Sequence, residues 1–505
     1  MGEVDIKDSQ RLAAQTILDS VRKKKDIFII SNETVDGIIG STILLQSISD
    51  IIGNACVRCI NPKTLLNKDG LKEVLEERHY YYIFLDFENK VLSSLETLLP
   101  DNRCLFINSE TIVEVNNRII EKNNSNFLKN SKSDKDIDNQ DVTTTSKCVY
   151  DIVNEFDRNI NLKIYLLLVA QVSKQGVKND VDLFDLDKEI VTIASDLHLI
   201  QRQKGFTFVN KQNKSIVNAL ESNTSYFIRG LTWNRDKIIE GLKETKVKFV
   251  QENRIKSTNE LDDDDYGIIL DHLQKCIEDS RTKNRITGKT SKTIKSNLIQ
   301  SWRNNYHLTF EEISSICSGI YSFSRVLESC IYAKKIGTAF SLALGDREES
   351  LAEISEFMKK EDETIKETGL RILSEKWRFY EDLTVVFVNG EGVFDNIVAP
   401  MFAIMLGKSG SYSDRMTCLR YIDMENEEVY KYIIVKGASC DINFIEFTEN
   451  LKQMLEKIDP TYSGSLFLNH YFRAGLDILE ILVPMKDLEV FLAKIKGLLN
   501  NARKS

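Results

Sequence analysis

Long apolar runs are missing from this chain. The longest, such as IVAPMFAIML at 397–406, fall far short of the roughly 20 residues that a membrane span needs, so no membrane is expected. The opening MGEVDIKDSQRLAAQ is polar, which argues against a targeting segment, and MGEVDI lacks the Ser or Thr that myristoylation wants at its sixth position. Disulfide spacing is also missing. Nine cysteines, an odd number, are scattered along the chain, and Cys56-x-x-Cys59 has no second pair to close a zinc site. A reducing, cytosolic compartment follows as the expectation. An excess of positive charge is absent too. The net charge of −9 disfavours a surface that grips DNA all over, while leaving room for a local basic groove. Only five prolines among many Ile, Lys and Asn reflect an AT-rich genome rather than a function. Nothing repeats at a period of 20–50 residues, which excludes a solenoid.

What is present is an ordinary globular balance, 42% hydrophobic and 28% charged, in 505 residues, enough for two or three domains. Residues 8–22 read as an amphipathic helix ahead of Lys23-Lys24-Lys25. Up to about residue 120, apolar β-type runs alternate with helical stretches such as LKEVLEERHY, the signature of a parallel, doubly wound sheet. Residues 121–147 have almost no apolar content and no periodicity, and are read as a disordered surface loop. The expected division is a first domain over 1–204, a mostly helical middle section over 205–320, and a second α/β domain over 321–505. The middle section holds the acidic run Asp262–Asp265 and a stretch from Arg281 to Arg303 with seven Lys or Arg and no acid. Such runs are ordinarily solvated faces; a nucleic-acid contact and a docking surface are the sharper alternatives.

Three apolar runs end in polar residues: IFIISNETVDGIIGS at 27–41, IFLDF at 83–87 and LFINSE at 105–110. In a doubly wound sheet, sites form at the carboxyl ends of strands, so Asp36, Asp86 and Asn108 should converge. This layout resembles the DHH phosphoesterases, the RecJ superfamily, whose strands end in D-x-D-x-D-G, then Asp, then Asp-His-His. The resemblance implies eight ligand positions for a pair of Mn²⁺ ions. They are occupied here by Asn32, Thr34, Asp36, Asp86, Asn108, Ser109, Glu110 and, in a fourth motif reading Ala170-Gln171-Val172-Ser173-Lys174, by Lys174. Two dications side by side repel strongly and require several carboxylates and imidazoles, which this set does not supply. Asp36 and Asp86 read as turn and helix N-cap residues, or, with Glu110, as weak ligands for a single Mn²⁺ or Mg²⁺. The remaining histidines (His79, His198, His272 and His307) stand singly.

The resemblance extends over roughly 24–495. Residues 185–232 and 323–346 resemble archaeal RecJ-like proteins, with Ser329-Cys330-Ile331-Tyr332-Ala333-Lys334 where those carry Asn-Ala-Cys-Gly-Arg. The last part resembles the DHH-associated substrate-binding domain. Its Ser-x-Arg strand motif reads Ile434-Val435-Lys436, and its glycine-rich loop reads Leu468-Asn469-His470-Tyr471-Phe472-Arg473-Ala474-Gly475. Loss of the glycine pair blocks close approach of backbone to phosphate. By this resemblance the chain is expected to be a catalytically inactive member of the archaeal, GINS-associated branch, the counterpart of the Cdc subunit of the eukaryotic CMG helicase. It would need no cofactor, scaffold GINS and MCM, and hold single-stranded DNA near Lys436, His470 and Arg473. The alternative is a residual Mn²⁺-dependent single-strand exonuclease resting on Asp36, Asp86 and Glu110.

Overall fold

The computed structural model describes residues 6–501 apart from 76–79, 99–103, 116–143, 176–186, 207–214, 223–226, 284–301, 457–465, 468–477 and a few isolated loop positions. In chain order the elements begin α1 (Ile6–Arg22), β1 (Ile27–Asn32), α2 (Val35–Asp50), β2 (Ala55–Ile60), α3 (Pro62–Leu66), α4 (Lys68–Val74), β3 (Tyr81–Leu85), α5 (Asn89–Leu98), β4 (Cys104–Ile107) and β5 (Ile112–Val115). Next come α6 (Thr145–Asn154), α7 (Ile164–Gln175), α8 (Lys188–Asp196), β6 (Ile200–Phe206), α9 (Ile216–Glu221), α10 (Arg235–Glu244), β7 (Val250–Gln251), β8 (Arg254–Ile255), α11 (Asp263–Lys283) and β9 (Trp302–Leu308). The remainder are α12 (Ile320–Tyr332), α13 (Ile336–Leu344), α14 (Glu349–Ser374), β10 (Phe379–Glu381), β11 (Val385–Asn389), α15 (Val398–Gly407), β12 (Met416–Asp423), β13 (Asn426–Lys436), α16 (Phe444–Glu456), β14 (Leu466–Phe467), β15 (Ile478–Pro484) and α17 (Leu488–Asn501).

Two compact units result. The first comprises 1–174, 181–202 and 306–354; the second comprises 175–180, 203–305 and 355–505. The division therefore differs from the boundaries expected at 204 and 320. Residues 306–354, with α12 and α13, close back onto the first unit because their apolar faces pack there, notably α13 and α12 against α2.

The first unit carries a five-stranded sheet in the order β2-β1-β3-β4-β5, parallel except for the antiparallel β5. β3 and β4 are buried along their whole length, which is why they read as unbroken apolar runs. The chain order reverses between β1 and β3, and a doubly wound sheet presents its ligand crevice at that point. The second unit holds a six-stranded sheet in the order β10-β11-β12-β13-β15-β14. Period-two alternation divides its residues between two cores. Leu419, Tyr421, Ile433 and Val435 face α15, and Cys418, Tyr432, Ile434 and Leu479 face α16 and α17. Helices α10 and α11 build a separate core in this unit. The acidic run serves that helix pair locally: Asp262 accepts from the Asp265 amide at 2.7 Å, and Asp263, Asp264 and Asp265 fill the first turn of α11, where the helix dipole favours negative charge. The basic stretch lies almost wholly outside the described residues.

Glycine 369 in α14 sets the spacing of the α15 core. A Cβ built there would come within 2.2 Å of the Trp233 ring and 3.0 Å of the Phe402 ring. Both rings are buried, so neither can swing aside cheaply. Gly369→Ala would gain about 1 kcal/mol of helix propensity and lose about 1–3 kcal/mol to overpacking. A net loss of stability is expected, read as a lower urea midpoint at unchanged slope.

Candidate functional site

Residue by residue, the strand ends at the β1/β3 reversal are filled with hydrogen bonds. Thr34, at the N-cap of α2, accepts the Gly37 amide at 2.9 Å through its own hydroxyl. Gly37 is required for that turn: a Cβ there would stand 2.5 Å from the Asn32 carbonyl oxygen and 2.6 Å from Ser31 Oγ. Asp36 sits in the first turn of α2, but it does not cap that helix as the sequence suggested. It is only 5% exposed, and its carboxylate reaches instead to the start of α6. The Ser146 amide donates to Asp36 Oδ1 and the Thr145 amide to Oδ2, each at 2.8 Å. Two of the four amides that every helix leaves unpaired at its N-terminus are thereby satisfied by one buried carboxylate.

Asp86 completes the cluster from the end of β3. Its backbone takes the left-handed conformation, φ 63°, which Asp tolerates better than most residues. The Thr34 hydroxyl donates to its Oδ2 at 2.5 Å and the Thr145 hydroxyl to its Oδ1 at 2.6 Å. Asn32 donates through Nδ2 to the Asp86 carbonyl at 3.0 Å. From β4, Asn108 is 8% exposed and ties its own turn together. Its Nδ2 donates to the Phe87 carbonyl and to Asn89, and its Oδ1 accepts the amides of Glu110 and Thr111. Ser109 is half-buried in that turn, while Glu110 is exposed and joins the network through its amide alone. Lys174 falls in the last turn of α7, and its side chain lies outside the described residues.

The loop read over 121–147 is corrected at its end. Thr144 to Ser146 are fully buried, Thr144 caps α6 by accepting the Lys147 amide at 3.1 Å, and α6 begins at Thr145. A Thr-Thr-Thr-Ser run one residue ahead of CVYDIV supplies that N-cap, though it closes a long polar stretch. The rest of that loop lies outside the described residues. A second missed contact is Glu33, whose carboxylate meets Lys334 Nζ at 2.8 Å and holds the end of α12 beside the β1 turn. Of the Cys56/Cys59 pair, Cys59 is inert. Burial, followed by the Glu33 charge, pushes its thiol up to about 12, so it stays protonated at neutral pH. His272 and His307 are both held below the usual histidine range, in each case chiefly by burial. In the second unit, Lys436 is half-buried at the end of β13, while His470 and Arg473 lie outside the described residues.

The donor set does not fit a two-metal centre. Asn32, Thr34 and Asn108 carry no charge at the positions that the resemblance makes ligands, and Asp36 and Asp86 have each carboxylate oxygen engaged by a protein donor. Among the described residues no group of three or more His, Cys, Asp or Glu is arranged to hold a metal ion. The positive end of α6 faces Asp36 directly, and a helix N-terminus carries roughly half a unit of positive charge.

The comparisons with known proteins bear on the fold. CDC45 from Entamoeba histolytica is 12% identical and superimposes with a TM-score of 0.58, covering 99% of this chain and 99% of that one. The chain has the fold of CDC45. An exonuclease RecJ bound to manganese shares that fold at a TM-score of 0.50 and 10% identity, covering 100% of this chain and 97% of its own. No protein-family model matches the sequence, and no curated protein matches it. At such identities the CDC45- and RecJ-type fold is what persists, and the strand-end chemistry of this chain must be judged from its own side chains.

Asp36→Ala would strand two buried amides of α6, at a cost of about 2–4 kcal/mol. Chemical denaturation should show that loss, and hydrogen exchange should show the amides of Thr145 and Ser146 among the first to lose protection. Asp36→Asn should recover only part, because its amide group cannot accept the second bond.

Proposed function

We propose that the chain is a non-catalytic subunit of a CMG-type replicative helicase assembly, tying GINS to MCM and contacting single-stranded DNA. One observation carries the reading. Asp36 and Asp86, at strand ends where a phosphoesterase of this fold needs open carboxylates, have both carboxylates engaged with the start of α6. Hydrolysis of a phosphodiester by paired metals needs ligands free to bind cations and a place for the attacking water. Here Asp36 and Asp86 serve as helix anchors. Similarity to CDC45 along the whole of both chains adds support for a replication role. Lys436 is the described cation that we assign to a phosphate in the second unit. No helix among the described residues is long and apolar enough to cross a membrane.

The residual-exonuclease alternative would require Asp36 and Asp86 to release α6 and recruit Glu110, which is exposed on its turn. End-labelled single-stranded DNA incubated with millimolar Mn²⁺ decides between the two. Neither the wild-type chain nor Asp36→Ala/Asp86→Ala is expected to shorten it, and the wild-type chain is expected to co-elute with GINS and MCM. Shortening by the wild type that vanishes in the double variant would overturn the proposal.

A further inference from the structure

The most exposed large apolar side chain among the described residues is Trp377, 63% exposed, in the turn between α14 and β10. An indole in water ordinarily costs free energy and rotates freely, but this one is held. The Arg378 guanidinium lies 4.1 Å from its ring centroid. Arg378 is itself buried and fixed, donating to Glu375 Oε2 at 2.6 Å and to the Glu391 carbonyl at 2.7 Å. One face of the indole therefore rests on a rigid planar cation. Tyr380, three residues on and 56% exposed, belongs to β10, the edge strand of the six-stranded sheet. It pairs in register with Phe387 on β11, and Phe387 is in turn capped by the Arg420 guanidinium at 5.9 Å. Asn389 links the two guanidiniums, its side-chain oxygen accepting from Arg420 and its carbonyl from Arg378, each at 3.3 Å. Trp377 and Tyr380 thus lie at the edge of the sheet, with the Arg378 guanidinium against Trp377 and the Arg420 guanidinium against Phe387 further in.

The cations of that edge differ in how far they are paired. Arg371 and Arg378 share the single carboxylate of Glu375, and Arg420 lies 3.9 Å from Glu391. Lys376, beside Trp377, is exposed and meets no carboxylate among the described residues. Flat rings held in place beside a cation are the means by which proteins hold single nucleic-acid strands without reading sequence. We propose that Trp377 and Tyr380 form a stacking platform for the bases of single-stranded DNA, with Lys376 contacting a phosphate. The choice of DNA rests on the replication reading above, but the platform itself rests on the geometry of this edge. It is separate from the strand-end cluster and from Lys436.

The test is fluorescence anisotropy of a labelled oligothymidylate of about 20 nucleotides, longer than the roughly 4–16 that one such groove covers, titrated with the full chain. Trp377→Ala should weaken binding about tenfold and Trp377→Phe, which keeps a stacking face, much less. Lys376→Ala should weaken it and make the slope of log affinity against log salt shallower by about one unit. Because Trp377 is exposed, the thermal midpoint of its variants should stay at the wild-type value, separating lost binding from lost folding. Equal affinity of the wild type and Trp377→Ala, or no binding by either, would overturn the platform. Capture of GINS by the same preparations reports separately on the replication reading. If Trp377→Ala loses GINS and keeps DNA affinity, the edge is a protein-docking face and the proposal fails.

Discussion

A carboxylate removed from water must be met by donors or by a cation, or it will take up a proton instead. Everything at the crevice of the first unit follows from how Asp36 and Asp86 meet that requirement. In an enzyme with paired metals, cations would supply the compensating charge. Here the start of α6 supplies it: two amides on Asp36, one hydroxyl on Asp86, and the positive end of the helix dipole behind them. Thr34 closes the circuit by capping its own helix and donating to Asp86 with the same hydroxyl. The arrangement fixes α6 against α2 at the mouth of the sheet's crevice.

Asp36 and Asp86 each hold groups that would be left unsatisfied without them, while Asn32, Thr34 and Asn108 make local bonds. Asn108 accepts two amides of its own turn while donating twice, a role that an ionised Asp, which cannot donate, would fill only in part.

Much of the fold was legible in the sequence. The unbroken apolar runs of β3 and β4 announced a buried parallel sheet, and the polar residues ending them marked the switch point. Asp36 and Asp86 were expected to converge, and hydrogen bonds bring both to Thr145. What could not be read was the partner. Asp36 looks like a cap for the helix in which it resides, since local spacing is all a sequence displays, yet its partners lie 109 and 110 positions away. The Thr144–Ser146 run was hidden for a related reason: it ends a long polar stretch, and composition averages over a window that the helix start interrupts. Chain order put 306–320 in the middle section and 321–354 in the later domain, whereas the packing of α12 and α13 puts both segments in the first unit.

The central claim is that α6 occupies the role of a cation at Asp36 and Asp86. The most direct measurement is anomalous X-ray diffraction from crystals of the wild-type chain soaked in Mn²⁺. The account predicts no manganese peak between the two carboxylates, with the Thr145 and Ser146 amides still bonded to Asp36. A manganese peak coordinated by Asp36 and Asp86, with α6 displaced from them, would contradict it.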